Sequence, residues 1–175
     1  MASPLRLAFL GNSLPRRCGI ATFTTDLQQA VARSQPDIET AIVAMNDRGQ
    51  SYAYPPIVRV QIRDEKLDDY ARAAEVLNAG QFDVVSLQHE FGIFGGEAGA
   101  HVLTLLSRLN PPIVTTLHTV IAEPRVMQRR VLSEVIALSS KVIVMAEKGR
   151  ALLRSVYEVP ADYMEIGRAS CRERV

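Results

Sequence analysis

Six short apolar runs, separated by stretches of a different period, restrict this chain more than any other feature of its sequence. They are LRLAFL (5–10), TAIVAM (40–45), IVRVQI (57–62), DVVSL (83–87), IVTTL (113–117) and KVIVM (141–145). Most are nearly continuous in apolar or β-branched residues, the pattern of parallel strands covered on both faces. IVRVQI alternates instead, setting Arg59 and Gln61 against Val58, Val60 and Ile62, so it is expected at a sheet edge. Between the runs lie helical periods: Ile20, Phe23, Leu27, Ala30 and Val31; then Leu67, Tyr70, Ala74 and Leu77; then Ala98, Val102, Leu105, Leu106 and Leu109. Two further helices are expected over 125–138, with Pro124 suited to a helix start, and over 147–156. Only the link from TAIVAM to IVRVQI, the turn-rich NDRGQSYAYPP, lacks a helix. Strand and helix in alternation predict an α/β fold with a doubly wound, mostly parallel, Rossmann-like sheet.

A chain of 175 residues, 47% hydrophobic and 22% charged, suits one domain with a sizeable core. Its net charge of +1 gives no basic field for nucleic acid. No run approaches the roughly 18 apolar residues of a membrane span, and a cytoplasmic location is expected. Cys18 and Cys171 make neither a disulfide framework nor a paired metal motif. The last ten residues, IGRASCRERV, break the preceding texture: a strand beginning near Met164 stops within three residues, and an arginine-rich string follows. That string resembles the in-frame translation of a sequencing adapter. The expected division is therefore a domain over 1–165 that is part of a longer protein, with 166–175 a non-native tail excluded from fold reasoning.

In open α/β sheets ligands bind beyond the carboxyl ends of the strands, so the residues just after each run carry the chemistry. Asn12, Ser13, Arg16, Arg17 and Gly19 follow the first run; Gln88, His89 and Glu90 follow DVVSL; His118 and Thr119 follow IVTTL; Ala146 and Glu147 follow KVIVM. The turn HEFGIFGGEAG brings Gly92, Gly95, Gly96 and Gly99 to a helix start, where free amides and the helix dipole can hold a phosphate or a sugar hydroxyl. Spacing alone does not separate that cradle from a tight turn. Arg16 and Arg17 suit a phosphate or carboxylate, or are simply solvated. His89 and His118 follow strands expected to be adjacent, which favours a shared site over two core histidines; His101, inside a helical period, is expected to be structural. The histidines, Glu90 and Cys18 match no metal-ligand spacing, so no metal is expected. Cys18 reads as a small buried thiol more readily than as a nucleophile.

PRRCGIATFTTDL (15–27), SLQHEFGIFGGEAG (86–99), TTLHT (115–119), VIVMAEKGRALL (142–153) and YEVP (157–160) together resemble the N-terminal domain of a GT-B glycosyltransferase of the group 1, or family 4, type, over residues 5–165. The resemblance implies two Rossmann-like domains facing across a cleft, the N-terminal one shaping the acceptor side and a C-terminal one holding the nucleotide sugar. It implies sugar transfer with retention of configuration, with no cofactor or essential metal beyond the nucleotide-sugar donor as substrate. The acceptor would be a sugar, glycan or lipid, and some relatives touch membranes peripherally. Carried over by position, His118 would lie by the transferred sugar as the catalytic residue. The loop around Gly19 would sit under the donor phosphates, with Arg16 or Arg17 near the acceptor. His89, Glu90, Gly95, Gly96 and Thr119 would contribute to substrate binding. Relatives place a glycine pair where this chain has Cys18 and Gly19.

Two other classes stay open. A nicotinamide oxidoreductase would use Asp47 as its ribose acid, but the G-x-G-x-x-G loop is missing. A stand-alone α/β binding module would need no second domain.

Overall fold

The computed structural model describes residues 4–167. Seven strands, β1 (Arg6–Gly11), β2 (Glu39–Asn46), β3 (Val58–Arg63), β4 (Val84–His89), β5 (Ile113–Leu117), β6 (Lys141–Val144) and β7 (Met164–Ile166), form one sheet in the order β3-β2-β1-β4-β5-β6-β7. Every neighbouring pair is parallel. The helices are α1 (Gly19–Ser34), α2 (Leu67–Ala79), α3 (His101–Leu106), α4 (Val126–Leu138) and α5 (Glu147–Tyr157). The strand order reverses between β1 and β4, which opens the crevice where such sheets take ligands.

Side-chain parity divides the core. Ala8 and Leu10 of β1, Val43 and Met45 of β2, Val60 and Ile62 of β3 and Val85 and Leu87 of β4 share a face with Tyr70, Ala73, Ala74 and Leu77 of α2, Val102, Leu105 and Leu106 of α3, and Val131 and Val135 of α4. Leu117, Val142, Val144 and Met164 continue that face and bury Leu132, Ile136 and Leu153 of α4 and α5. The opposite face, with Phe9, Ile42 and Ala44, packs under Leu27 and Val31 of α1 and under Tyr54 and Ile57 of the β2–β3 connection. Right-handed crossovers account for this split: the chain runs one way from β1 to β3 and the other way from β4 to β7.

β3 is an edge strand, with Arg59, Gln61 and Arg63 exposed and Val60 and Ile62 buried, as its alternation predicts. β4 runs two residues past the DVVSL run, so Gln88 and His89 belong to the strand instead of following it. The helix expected from Ala98 begins at His101. Gly96 (φ +79°), Ala98 (φ +54°) and Gly99 (φ +80°) take left-handed backbone there, which no helical turn accommodates. β7 ends at Ile166, the first residue of the string set apart by texture, and pairs Val144 with Ile166. Gly167 extends the pairing by donating its amide to the Val144 carbonyl at 2.9 Å, and residues 168–175, the remainder of that string, lie outside the described residues.

Candidate functional site

The loop from β1 to α1 is a capped turn. The Cys18 thiol accepts the Ala21 amide at 3.4 Å and so serves as the N-cap of α1; the Asn12 amide nitrogen donates to the same sulfur at 3.4 Å. Thr25 Oγ1 reaches back from α1 to the Leu14 amide (3.2 Å) and to Ser13 Oγ (3.3 Å). Gly19 is exposed, and a Cβ placed on it would meet nothing within 4 Å, so its backbone is open to solvent at the helix start. Arg16 is not a free cation: it donates to Asp47 Oδ1 at 2.6 Å. Tyr52 donates to the other oxygen, Asp47 Oδ2, at 3.0 Å. The carboxylate that a nicotinamide site would offer to a ribose is thus taken up in fastening the β2–β3 connection to the β1–α1 loop. Arg17 is exposed and forms no ion pair among the described residues.

Residues following β4 and β5 are tied to one another. His118 donates its backbone amide to the His89 carbonyl at 3.0 Å, continuing the ladder between the two strands. Glu90 receives the Phe91 amide at 2.9 Å and the Thr119 hydroxyl at 2.5 Å, so both oxygens bind within the loop. The His118 ring is held on two sides. Gln88 Oε1 lies 3.1 Å from Nε2, and the Phe23 ring of α1 meets it edge-on with centroids 4.8 Å apart. Burial pushes the imidazole pKa below its ordinary value, against an opposing pull from Glu90, so the ring is neutral at pH 7. His118 and Thr119 line a cavity of about 360 Å³ with Val120, Lys148, Gly149 and Leu152 at the start of α5.

His89 takes a different place from the one its chain position suggests. Alternation along β4 sets its ring on the face opposite Gln88, where it is fully buried, stacked on Phe94 at 5.9 Å and edge-on to Phe91 at 5.1 Å. Neither ring nitrogen has a hydrogen-bond partner, and burial lowers the pKa to about 4. It lines neither this cavity nor the one beside the glycine turn.

Gly95 and Gly96 are glycines because of packing. A Cβ on Gly95 would fall 1.8 Å from the Asp64 carbonyl oxygen, and one on Gly96 2.7 Å from the His101 ring. The Gly95 amide is spent on the Tyr70 hydroxyl at 2.9 Å, and that hydroxyl donates to the Asp64 carbonyl at 3.1 Å. His101 Nδ1 contacts the same carbonyl at 3.2 Å, the structural role expected of it. The turn borders a second cavity of about 350 Å³ lined by Arg48, Asp64, Glu65 and His101. Among the described residues no group of three His, Cys, Asp or Glu side chains is placed to hold a metal ion. Nor is any of their helices long and apolar enough to cross a membrane.

One participant, Lys148, escaped attention in the sequence, and another, Gln88, was named only among the residues that follow DVVSL and given no role. Lys148 follows β6 by several residues and reaches the His118 cavity only because α5 starts there. Gln88 had a visible signal: Ser86 and Gln88, two apart in a buried parallel strand, set polar side chains on one face where apolar ones are usual.

An all-parallel sheet with this strand order, and with its polar side chains gathered around the carboxyl ends of β1, β4 and β5, defines a Rossmann-like α/β domain. Residues 17–166 match the family model of Glycosyltransferase Family 4, and the chain belongs to that family. No curated protein matches it. Among solved structures it is similar to an α-glucosyltransferase in complex with UDP and a 13-mer DNA containing a central A:G mismatch. The two share 14% identity and a TM-score of 0.60 over 93% of this chain and 40% of that one. An α-glucosyltransferase in complex with UDP and a 13-mer DNA containing a HMU base matches with TM-score 0.51 at 14% identity, over 79% of this chain and 37% of its own. A glycosyltransferase from Rickettsia africae ESF-5 gives 0.49 at 15% identity, over 93% and 42%. The chain spans about two fifths of the length of these structures.

Proposed function

We propose that this domain forms the acceptor-side wall of a two-domain cleft in which a sugar passes from a nucleotide-sugar donor to a sugar, glycan or lipid acceptor with retention of configuration. A second domain beyond this chain holds most of the donor. The observation that carries the reading is His118, a neutral imidazole fixed by Gln88 and Phe23 at the carboxyl end of β5, on the rim of a cavity of about 360 Å³. A neutral ring accepts a hydrogen bond from a sugar hydroxyl and orients it without adding charge beside an oxocarbenium-like centre. The open amides at the start of α1, by Gly19, serve the donor phosphates. The proposed chemistry calls on no metal, and the proposed location is the cytoplasm.

Joined to its second domain, the His118→Ala variant is expected to lose at least about 100-fold in kcat, with donor Kd changed only a few-fold. The isolated chain is expected to show no transfer. Unchanged kcat in the variant, or tight NAD binding by the isolated chain, overturns the proposal.

A further inference from the structure

The cavity beside the glycine turn, past the ends of β3 and β4, is lined by polar groups that the fold leaves unused. The Asp64 carbonyl accepts the Tyr70 hydroxyl at 3.1 Å and lies 3.2 Å from His101 Nδ1. Tyr70 is fully buried and its hydroxyl takes the Gly95 amide at 2.9 Å, so the carbonyl is held in place. A carbonyl oxygen only accepts, so Nδ1 carries a hydrogen, and the lone pair of the neutral ring sits on Nε2. Nε2 bonds to no described residue, and His101 borders the cavity of about 350 Å³ together with Arg48, Asp64 and Glu65.

The carboxyls of Asp64 and Glu65 hydrogen-bond to each other, which requires a proton between them. Burial and the bond to Glu65 raise the Asp64 pKa, while its own backbone amide and the bond from Asp64 lower that of Glu65, so the proton resides on Asp64. The pair thus carries one negative charge. Arg48, exposed and in no ion pair among the described residues, faces it across the cavity with one positive charge. Lys66 and Asp47 are the other charged groups near the pair, and Asp47 is already bound to Arg16. Nε2 and the carboxyl pair offer acceptors, and Arg48 offers donors.

We propose that this cavity is a subsite for an uncharged, hydroxyl-rich sugar, whose hydroxyls donate to His101 Nε2 and the Asp64–Glu65 pair and accept from Arg48. A phosphate or carboxylate on the sugar would set acceptor against acceptor, and a lipid chain would leave all of these groups unpaired. The proposal deepens the transferase reading by narrowing its acceptor to a neutral sugar. It rests on that reading for the word acceptor, although the sugar site itself does not.

Long-range ¹H–¹⁵N correlation spectra of the ¹⁵N-histidine-labelled chain test it, since three histidines are few enough to assign by single substitution. Without ligand, His101 is expected to show a protonated Nδ1 and a pyridine-like Nε2 at pH 8. The probe is a mixture of the methyl α-glycosides of glucose, mannose and galactose, each at up to about 50 mM. It is expected to shift the His101 ring signals, with glucose 6-phosphate and glucuronate shifting them several-fold less. Arg48→Ala and Glu65→Gln are expected to weaken the glycoside response at least about threefold. Arg48 has no described bond to lose, so its variant remains folded and informative even if Glu65→Gln does not fold. A ring protonated on Nε2 alone, no response at His101, or an equal response to the charged sugars or in Arg48→Ala overturns the proposal. Because these spectra need no donor, the subsite can fail while His118→Ala still costs kcat. Equally, the glycosides can bind here although His118→Ala leaves kcat unchanged.

Discussion

His89→Leu should make this domain more stable, and increasingly so as the solution becomes acidic. The ring is fully buried, its two nitrogens have no partners, and its pKa sits near 4 in the folded chain. In the unfolded chain it titrates near 6.5. Between those values the unfolded state binds the proton that the folded state refuses, so stability falls as pH is lowered from about 6.5 to 4. At about 1.4 kcal/mol per pKa unit the full loss is about 3 kcal/mol, of which about 2 kcal/mol is gone by pH 5. Leucine has nearly the same volume and no proton to exclude. At pH 7.5 it also removes a buried donor and acceptor whose desolvation costs about 1–3 kcal/mol, while losing a stacking contact on Phe94 of about 1 kcal/mol. The expected gain is about 1 kcal/mol at pH 7.5, rising to about 3 kcal/mol at pH 5. Because the chain contains no tryptophan, urea unfolding is best followed by circular dichroism at 222 nm. The native-minus-variant difference cancels the acid response of His118 and the carboxylates. A difference that stays constant within about 0.5 kcal/mol from pH 7.5 to pH 5, or a variant less stable at pH 7.5 by more than about 1 kcal/mol, would refute the reasoning, since it would mean that His89 is solvated or hydrogen-bonded.

Two further substitutions probe the loops. Gly95→Ala drives a methyl into the Asp64 carbonyl at 1.8 Å and should cost about 3 kcal/mol or abolish folding, read by thermal melting; a loss below about 1 kcal/mol would show that the turn can move away from the β3–α2 connection. Cys18→Ser replaces a long thiol cap by a hydroxyl that hydrogen-bonds the Ala21 amide more strongly, and should raise stability by about 0.5–1 kcal/mol in the same assay; a decrease would show that the sulfur's packing outweighs its capping.

The alternation of apolar runs and helical periods was enough to predict an α/β parallel sheet, to put β3 at an edge, to signal α2 by its period, and to place α4 and α5 within one residue of where they stand. These features are local: a period of two or 3.6 follows from backbone geometry alone, and two-sided burial leaves its mark on each strand separately. Family membership was legible for a related reason, because several short motifs retain their order and spacing whatever the fold does with each of them.

What each polar residue faces was decided by tertiary structure. Arg16 and Asp47 are 31 positions apart, and only the docking of the β2–β3 connection on the β1–α1 loop turns a candidate phosphate ligand and a candidate ribose acid into an ion pair. Gly95 and Gly96 suggest an anion cradle by composition, but their lack of side chains serves the close approach of Asp64 and His101. His89 and Gln88 are neighbours in sequence, and the two-residue period of a strand sends one into a dry aromatic pocket and the other to His118. The sequence by itself determined which elements form and which strand ends gather polar groups, because both follow from local period and parallel winding. Which of those groups are left free for a substrate depends on contacts between residues 25 to 37 positions apart, such as Gly95 with Tyr70, Gln88 with His118 and Asp64 with His101, and only the packed sheet brings those together.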